Sequence, residues 1–180
     1  MNLPVLTIRD VVEKQLCCGC GACAAARPDA FEMADAAEVG RRPFPVGARA
    51  FDDAPAEHAA FAPGVNAEAI RTCPGVSLSH TFDERDPTFD RALRPAWGPV
   101  LEVWEGHAGD AAIRRAGSSG GAATALALFA LERMGMKGVV HAAARADAPH
   151  LNTTVLSTTR EELLARTGSS YAPPSPCAGL

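Results

Sequence analysis

The chain has 180 residues, enough for one domain with a sizeable core or one domain plus a small appendage, and its 47% hydrophobic and 21% charged residues are globular in proportion. A formal net charge of −4, with no basic cluster of the kind that tracks phosphates, argues against a general nucleic-acid binder. The opening MNLPVLTIRD lacks the charged start and apolar core of a signal peptide, and the longest apolar run, GGAATALALFAL (120–131), falls short of the ~20 residues that span a bilayer, so no membrane span is expected. A cytoplasmic setting follows as the expectation; there, six cysteines point to metal or redox chemistry rather than disulfides.

In chain order, LTIRDVVEKQL is expected to form a short helix with Val11, Val12 and Leu16 facing inward. The cysteine loop occupies 17–33. The stretch 30–48 reads as two short strands around a turn, with Gly40 as breaker. The Ala- and Pro-rich segment 51–75 is expected to hold loop and one short helix at 66–72, capped by Asn66. Residues 76–99 read as a polar linker. VLEVWEGHA (100–108) then reads as a strand, SSGGAATALALFALERMG (118–135) as a helix reached through a glycine-rich turn, and KGVVHAAA (137–144) and NTTVLSTT (152–159) as two further strands. TTREELLARTG (158–168) reads as a helix, with Thr159 and Glu162 as a capping box and Gly168 as its stop. Trp97 and Trp104 are expected in packing. The β-α-β-β-α order suggests an α/β layer, α+β mixed overall. The turn-rich close GSSYAPPSPCAGL, after so few strands, reads as the N-terminal piece of a longer chain.

Chemistry concentrates in CCGCGACAAARPD (17–29). Cys17, Cys20 and Cys23 form a C-x2-C-x2-C run, but the fourth cysteine of the bacterial ferredoxin pattern is replaced by Arg27, with Pro28 still following. Cys73-Pro74 repeats the Cys-Pro ending at long range and is the candidate fourth ligand. In two-cluster ferredoxins the replaced cysteine serves the other cluster, so Arg27 fits a single cluster here. Zinc sites favour two separate C-x2-C knuckles; a run of three favours an iron–sulfur cluster, with zinc and inert buried thiols as the rival readings. Even spacing favours Cys17 over Cys18, and Cys177 reads as an ordinary thiol.

The second candidate is RRAGSSGGAATALALF (114–129). Ser118, Ser119, Gly120 and Gly121 stand where chain turns into helix, and free N–H groups there suit phosphate or another anion, with Arg114 or Arg115 adding charge. The glycines are expected to leave room for a ligand. The spacing is neither a dinucleotide fingerprint nor a P-loop, and a plain helix start with small packing residues accounts for it equally well. Thr124 reads on its own as a packed helical residue, and His107 and His141 as structural histidines.

Taken together, CCGCGACAAARPDAFEM with the later CPG, RRAGSSGGAATALALFALE…GVV and TREELLARTGSSY resemble the beta subunit of coenzyme F420 hydrogenase and dehydrogenase. The resemblance implies an oxidoreductase subunit with a 4Fe–4S cluster and FAD, passing electrons between a redox protein partner (a ferredoxin or a hydrogenase or dehydrogenase subunit) and a small two-electron acceptor such as coenzyme F420. It matches Cys17, Cys20, Cys23 and Cys73 to the cluster ligands. It matches Ser118, Ser119, Gly120, Gly121 and Thr124, with Arg114 beside them, to a turn near the flavin. The implied organisation is an iron–sulfur, ferredoxin-like region over 1–75, a linker over 76–99, and the first part of an α/β flavin-binding domain over 100–180. Members are roughly twice this length. A ferredoxin-like electron-transfer module without flavin, or a zinc-stabilised interaction domain, are the alternative readings.

Overall fold

The computed structural model describes residues 7–36, 40–79, 81–83, 85–169 and 171–179; the reading of residues 1–6 and that of the turn just before Gly40 lie outside them. Helix α1, Ile8–Glu13, starts at Thr7, whose side chain accepts the Asp10 N–H while the Asp10 carboxylate accepts the Thr7 N–H, a complete capping box. Its inward face is Ile8 and Val11, with Val12 half-buried. Leu16, expected inside, is 43% exposed because it follows the helix end and faces outward.

The cysteine loop leads into α2, Ala22–Ala26, and then into an antiparallel hairpin of β1, Phe31–Ala36, and β2, Gly40–Pro45, in register from Phe31 opposite Pro45 to Ala36 opposite Gly40. Helix α3, Pro63–Arg71, begins earlier than the pattern suggested. Ala62 is its N-cap and Pro63 sets the first turn, where a missing N–H costs nothing. Asn66 is therefore no cap. It lies buried inside the helix, where its side chain accepts the Ile8 N–H and donates to the Ala60 carbonyl, so one amide ties α3 to α1. Ile8, Cys23, Ala24, Ala30, Phe31, Phe51, Ala60, Val65 and Ala69 form one core. Its many alanines bring α2 and α3 close together.

After the short α4, Arg94–Trp97, the chain runs irregularly from 98 to 110. The strand expected over 100–108 is absent: residues 101–107 are exposed coil. Trp97 and Trp104 stand 76% and 84% exposed rather than packed, since among the described residues no neighbouring strand or helix covers them. Helix α5, Ala111–Ala116, is capped by the Asp110 carboxylate on the N–H groups of Ala112 and Ile113. A 3-10 turn at Ser119–Gly121 opens α6, Ala122–Glu132. The hairpin of β3, Val139–Ala144, and β4, Asn152–Ser157, is antiparallel. Helix α7, Arg160–Leu164, follows, with the Thr159 hydroxyl accepting the Glu162 N–H as its sequence foretold. A second core joins Ala108, Ile113, Leu128 and Leu163, with Ala125, Leu131 and Val139 against it.

The sheet content corrects the α/β expectation. Among the described residues the strands form two separate two-stranded antiparallel sheets rather than one layer, so the architecture is α+β. The two parts touch through the C-terminal segment, whose last 3-10 turn, Pro176–Gly179, packs on α2 and on both strands of the second hairpin. Arg145 also pairs with Asp35 of β1 at 2.5 Å. No described helix is long and apolar enough to cross a membrane.

Candidate functional site

Two positive-φ glycines shape the cysteine loop. Gly19 (φ +75°) and Gly21 (φ +83°) take left-handed conformations that L side chains rarely adopt, and they bend the chain so that successive cysteines turn back on one centre. Cys73 arrives from the other side, one residue past the Thr72 cap of α3, its N–H held by the Ile70 carbonyl. The result is a single small cavity of about 20 Å³ lined by Cys17, Cys18, Cys20, Cys23 and Cys73, with Ile8, Val11, Met33 and Pro43 as apolar wall. The four cysteines singled out by spacing thus share one cavity, although Cys73 is 50 residues from Cys23. Cys18 also reaches that cavity, hydrogen-bonding Cys20. Cys177, expected to stand apart, lies near Cys20 as well.

The electrostatics of the cysteine loop pull two ways. Burial pushes Cys23 up to about 12 and Cys20 up to about 11 from the ordinary 9.0. Burial raises Cys17 too. Opposing this, the Gly19 N–H donates to Cys17 Sγ at 3.4 Å, the N–H of Ala22 bonds the Cys20 sulfur and that of Ala24 the Cys23 sulfur, while the Arg42 guanidinium favours a Cys17 thiolate. Burial thus favours the neutral thiol at Cys17, Cys20 and Cys23, but N–H donors already face their sulfur atoms. Among the described residues no three Cys, His, Asp or Glu side chains gather closely enough to hold a single metal ion. The donors that line the cavity are thiols, the side chains from which both iron–sulfur clusters and structural zinc take ligands.

The glycine-rich turn is placed differently from expectation. Ser118 and Ser119 are exposed, as are Arg114 and Arg115, while Thr124 is half-buried in α6. Glycine is required here by packing rather than by an open space. A Cβ on Gly120 would meet His107 Cβ at 2.8 Å, and one on Gly121 would meet the Ile113 carbonyl oxygen at 2.7 Å. The plain N-cap reading also fails for the serines, since Ser118 makes no capping bond and the residue that caps α6 is Gly121, which has no side chain to offer. The first N–H groups of α6 are therefore left uncapped by any side chain. His141 is structural: its Nε2 pairs with Ser157 Oγ at 2.8 Å, and burial lowers its pKa.

Sequence reasoning missed one element of the site. The C-terminal segment around Ser175 lies over the cysteine loop: Ser175 Oγ donates to the Gly19 carbonyl at 2.9 Å, and the Cys177 N–H donates to the Cys20 carbonyl at 3.0 Å. Its prolines and small residues resemble an ordinary tail, and only the crowding of small residues hints at a close backbone approach.

No curated protein matches the chain. The sequence model of the family described as coenzyme F420 hydrogenase/dehydrogenase, beta subunit N-terminal, matches residues 103–180, which include the glycine-rich turn, the second hairpin and the C-terminal segment, and leave the cysteine loop outside the match. Over those residues the chain is similar to the coenzyme F420 hydrogenase/dehydrogenase beta subunit family, a family of redox-enzyme subunits.

Proposed function

We propose that the chain is an iron–sulfur flavoprotein subunit, in which Cys17, Cys20, Cys23 and Cys73 hold a 4Fe–4S cluster and the turn at 118–121 contacts FAD. The observation that carries this reading is the convergence of those four cysteines on one cavity in a chain whose C-terminal part is similar to a redox family. A 4Fe–4S cluster supplies one-electron storage and FAD two-electron transfer, so the pair links a one-electron protein partner to a two-electron acceptor such as coenzyme F420. The chain's own residues do the rest. The N–H groups of Gly19, Ala22 and Ala24 offset the negative charge of bound thiolates. Ile8, Val11, Met33 and Pro43 keep water from the sulfur atoms. The uncapped start of α6 offers N–H groups to an anion such as a flavin phosphate, with Arg114 on the neighbouring helix α5. A ferredoxin or partner subunit fits as electron donor, and a cytoplasmic compartment fits the reduced thiols.

The test is a visible spectrum of protein made and purified anaerobically, with iron, sulfide, zinc and flavin assays. A broad absorption near 400 nm with about four irons and four sulfides per chain is expected. A colourless protein carrying stoichiometric zinc would overturn the cluster; iron and sulfide without flavin, even when FAD is supplied, would reduce the chain to an electron-transfer module.

A further inference from the structure

Between the Gly19 and Cys20 carbonyls and the C-terminal segment there is a built contact that neither the cysteine motif nor the family match assigns. Ser175 is only 5% exposed, and its hydroxyl is used twice: it donates to the Gly19 carbonyl at 2.9 Å and accepts from Arg41 Nε at 3.1 Å. Arg41 is fixed in turn, its other nitrogens bonding the Met33 carbonyl at 2.8 Å and the Asp35 carboxylate at 3.1 Å. Two residues on, the Cys177 N–H takes the Cys20 carbonyl. Two consecutive carbonyls of the loop therefore point at the same outside segment. The packing is tight enough to require glycine beneath it: a Cβ at Gly21 would meet Ala178 Cβ at 2.8 Å and Ser175 Cβ at 3.1 Å.

Peptide geometry carries the consequence. No described peptide bond is cis, and in a trans unit the C=O and the following N–H point in opposite directions. Holding the Gly19 carbonyl outward turns the Cys20 N–H away from the segment, and holding the Cys20 carbonyl does the same for the Gly21 N–H. Both units flank Cys20, and the first follows the Gly19 N–H that bonds Cys17 Sγ. We propose that Ser175, backed by Arg41, is a positioning residue for the cysteine loop: it clasps the loop from the C-terminal side and sets the orientation of Cys20 and of the N–H groups beside the thiolates. The proposal rests on the cluster reading for its redox consequence but not for the clasp itself. Residues 103–180 would then tune the site held by residues 17–73 without supplying a ligand to it.

The experiment compares Ser175→Ala and Ser175→Thr with the unaltered protein in two states. In the metal-free protein at pH 8, alkylation of each cysteine is followed by mass spectrometry. Ser175→Ala removes both bonds of the hydroxyl and is expected to label Cys20 about tenfold faster through loss of the one to the Gly19 carbonyl, with Cys73 unchanged and Ser175→Thr close to the parent. In the reconstituted protein, a redox titration is expected to show a more negative midpoint potential for Ser175→Ala, because misaimed N–H groups stabilise the added electron less, and a return toward the parent value in Ser175→Thr. Cys20 labelling unchanged in Ser175→Ala, or rising in parallel with Cys73, overturns the clasp, whatever the iron content. An unaltered protein that takes up no iron sinks the cluster reading instead, and the labelling ratio still decides the clasp.

Discussion

Gly75 sets where Cys73 can stand. A Cβ on Gly75 would lie 2.4 Å from the Leu16 carbonyl oxygen, 3.2 Å from its carbon and 3.4 Å from Val11 Cγ1. The nearest atom is backbone just beyond α1, so no side chain can swing aside. Relief to a tolerable ~3.0 Å takes about 0.6 Å of movement between the Cys73-Pro74-Gly75 turn and the residues just before Cys17, and ordinary contact takes about 1 Å. Overpacking of this size costs about 1–3 kcal/mol. For a chain of this length each kcal/mol is worth about 2–4 °C, so Gly75→Ala is expected to melt about 2–12 °C lower by circular dichroism in the metal-free state. The same movement separates Cys73 from Cys17, so iron retained after anaerobic reconstitution and brief chelation is expected to fall below half the parent value. Gly64→Ala is the control, since nothing lies within 4 Å of a Cβ there and its backbone is helical; its melting point is expected to be unchanged or slightly higher. A Gly75→Ala protein melting within 1 °C of the parent with full iron would refute the reasoning.

Cys73→Ala is expected to leave a labile or empty site, whereas Cys18→Ala and Cys177→Ala keep the spectrum; full iron in the first with loss in the second would exchange the ligand assignment. Burial raises Cys20 to about 11 and Cys23 to about 12 from 9.0 in the metal-free protein. The folded state thus binds more protons than the unfolded chain between those values, and the stability present below pH 9 is expected to drain away as pH rises through 11 and 12. Chemical denaturation at pH 8, 9.5 and 10.5 checks the sign, and a rise in stability across that range would contradict it. Asn66→Ala leaves the Ile8 N–H and the Ala60 carbonyl unpaired in the core and is expected to cost about 2–4 kcal/mol by urea unfolding; a loss under 1 kcal/mol would show that water replaces the amide.

What was legible in the sequence was what local chemistry decides. The Thr159 cap and the two halves of each hairpin depend on residues within a few positions of each other, and each appears where its pattern put it. The failures share a physical cause. Val103 and Trp104 carry the β-branched and aromatic character of a strand, but a strand needs a partner ladder, and among the described residues none pairs with 100–108. Asn66 reads as a cap because Asn favours caps; here a distant backbone N–H on Ile8 competes for it and wins. Gly120 and Gly121 read as space for a ligand because glycine removes a side chain, yet the vacated volume is taken by His107 and Ile113. Ser175 was invisible because a serine between prolines has no signature. Its role exists only once Gly19, 156 residues earlier, lies beside it.

Helix α6 bears on how firmly a flavin can be held by residues 1–180. Its sequence AATALALFALE has only Thr124 and Glu132 as polar residues, and a helix apolar all round is one meant to be covered all round. One side packs Leu128 and Leu131 against Ile113 and Leu163. On the other side Leu126 and Phe129 are 69% and 54% exposed, in company with Met134 and Met136 beyond the helix end. The turn proposed to contact FAD opens this same helix, so whatever binds there meets N–H groups at one edge and lacks an apolar wall opposite. Cofactor sites bury most of the ligand surface, and a one-sided contact of this kind gives weak binding. FAD is therefore expected to bind residues 1–180 no more tightly than the micromolar range by fluorescence titration, while iron stays bound through the same gel filtration that strips the flavin. Ser118→Glu, which places a carboxylate at the uncapped helix start, is expected to weaken that titration about tenfold with the melting point unchanged, since Ser118 caps nothing. Nanomolar FAD binding by residues 1–180, or affinity indifferent to Ser118→Glu, would move the flavin away from this turn.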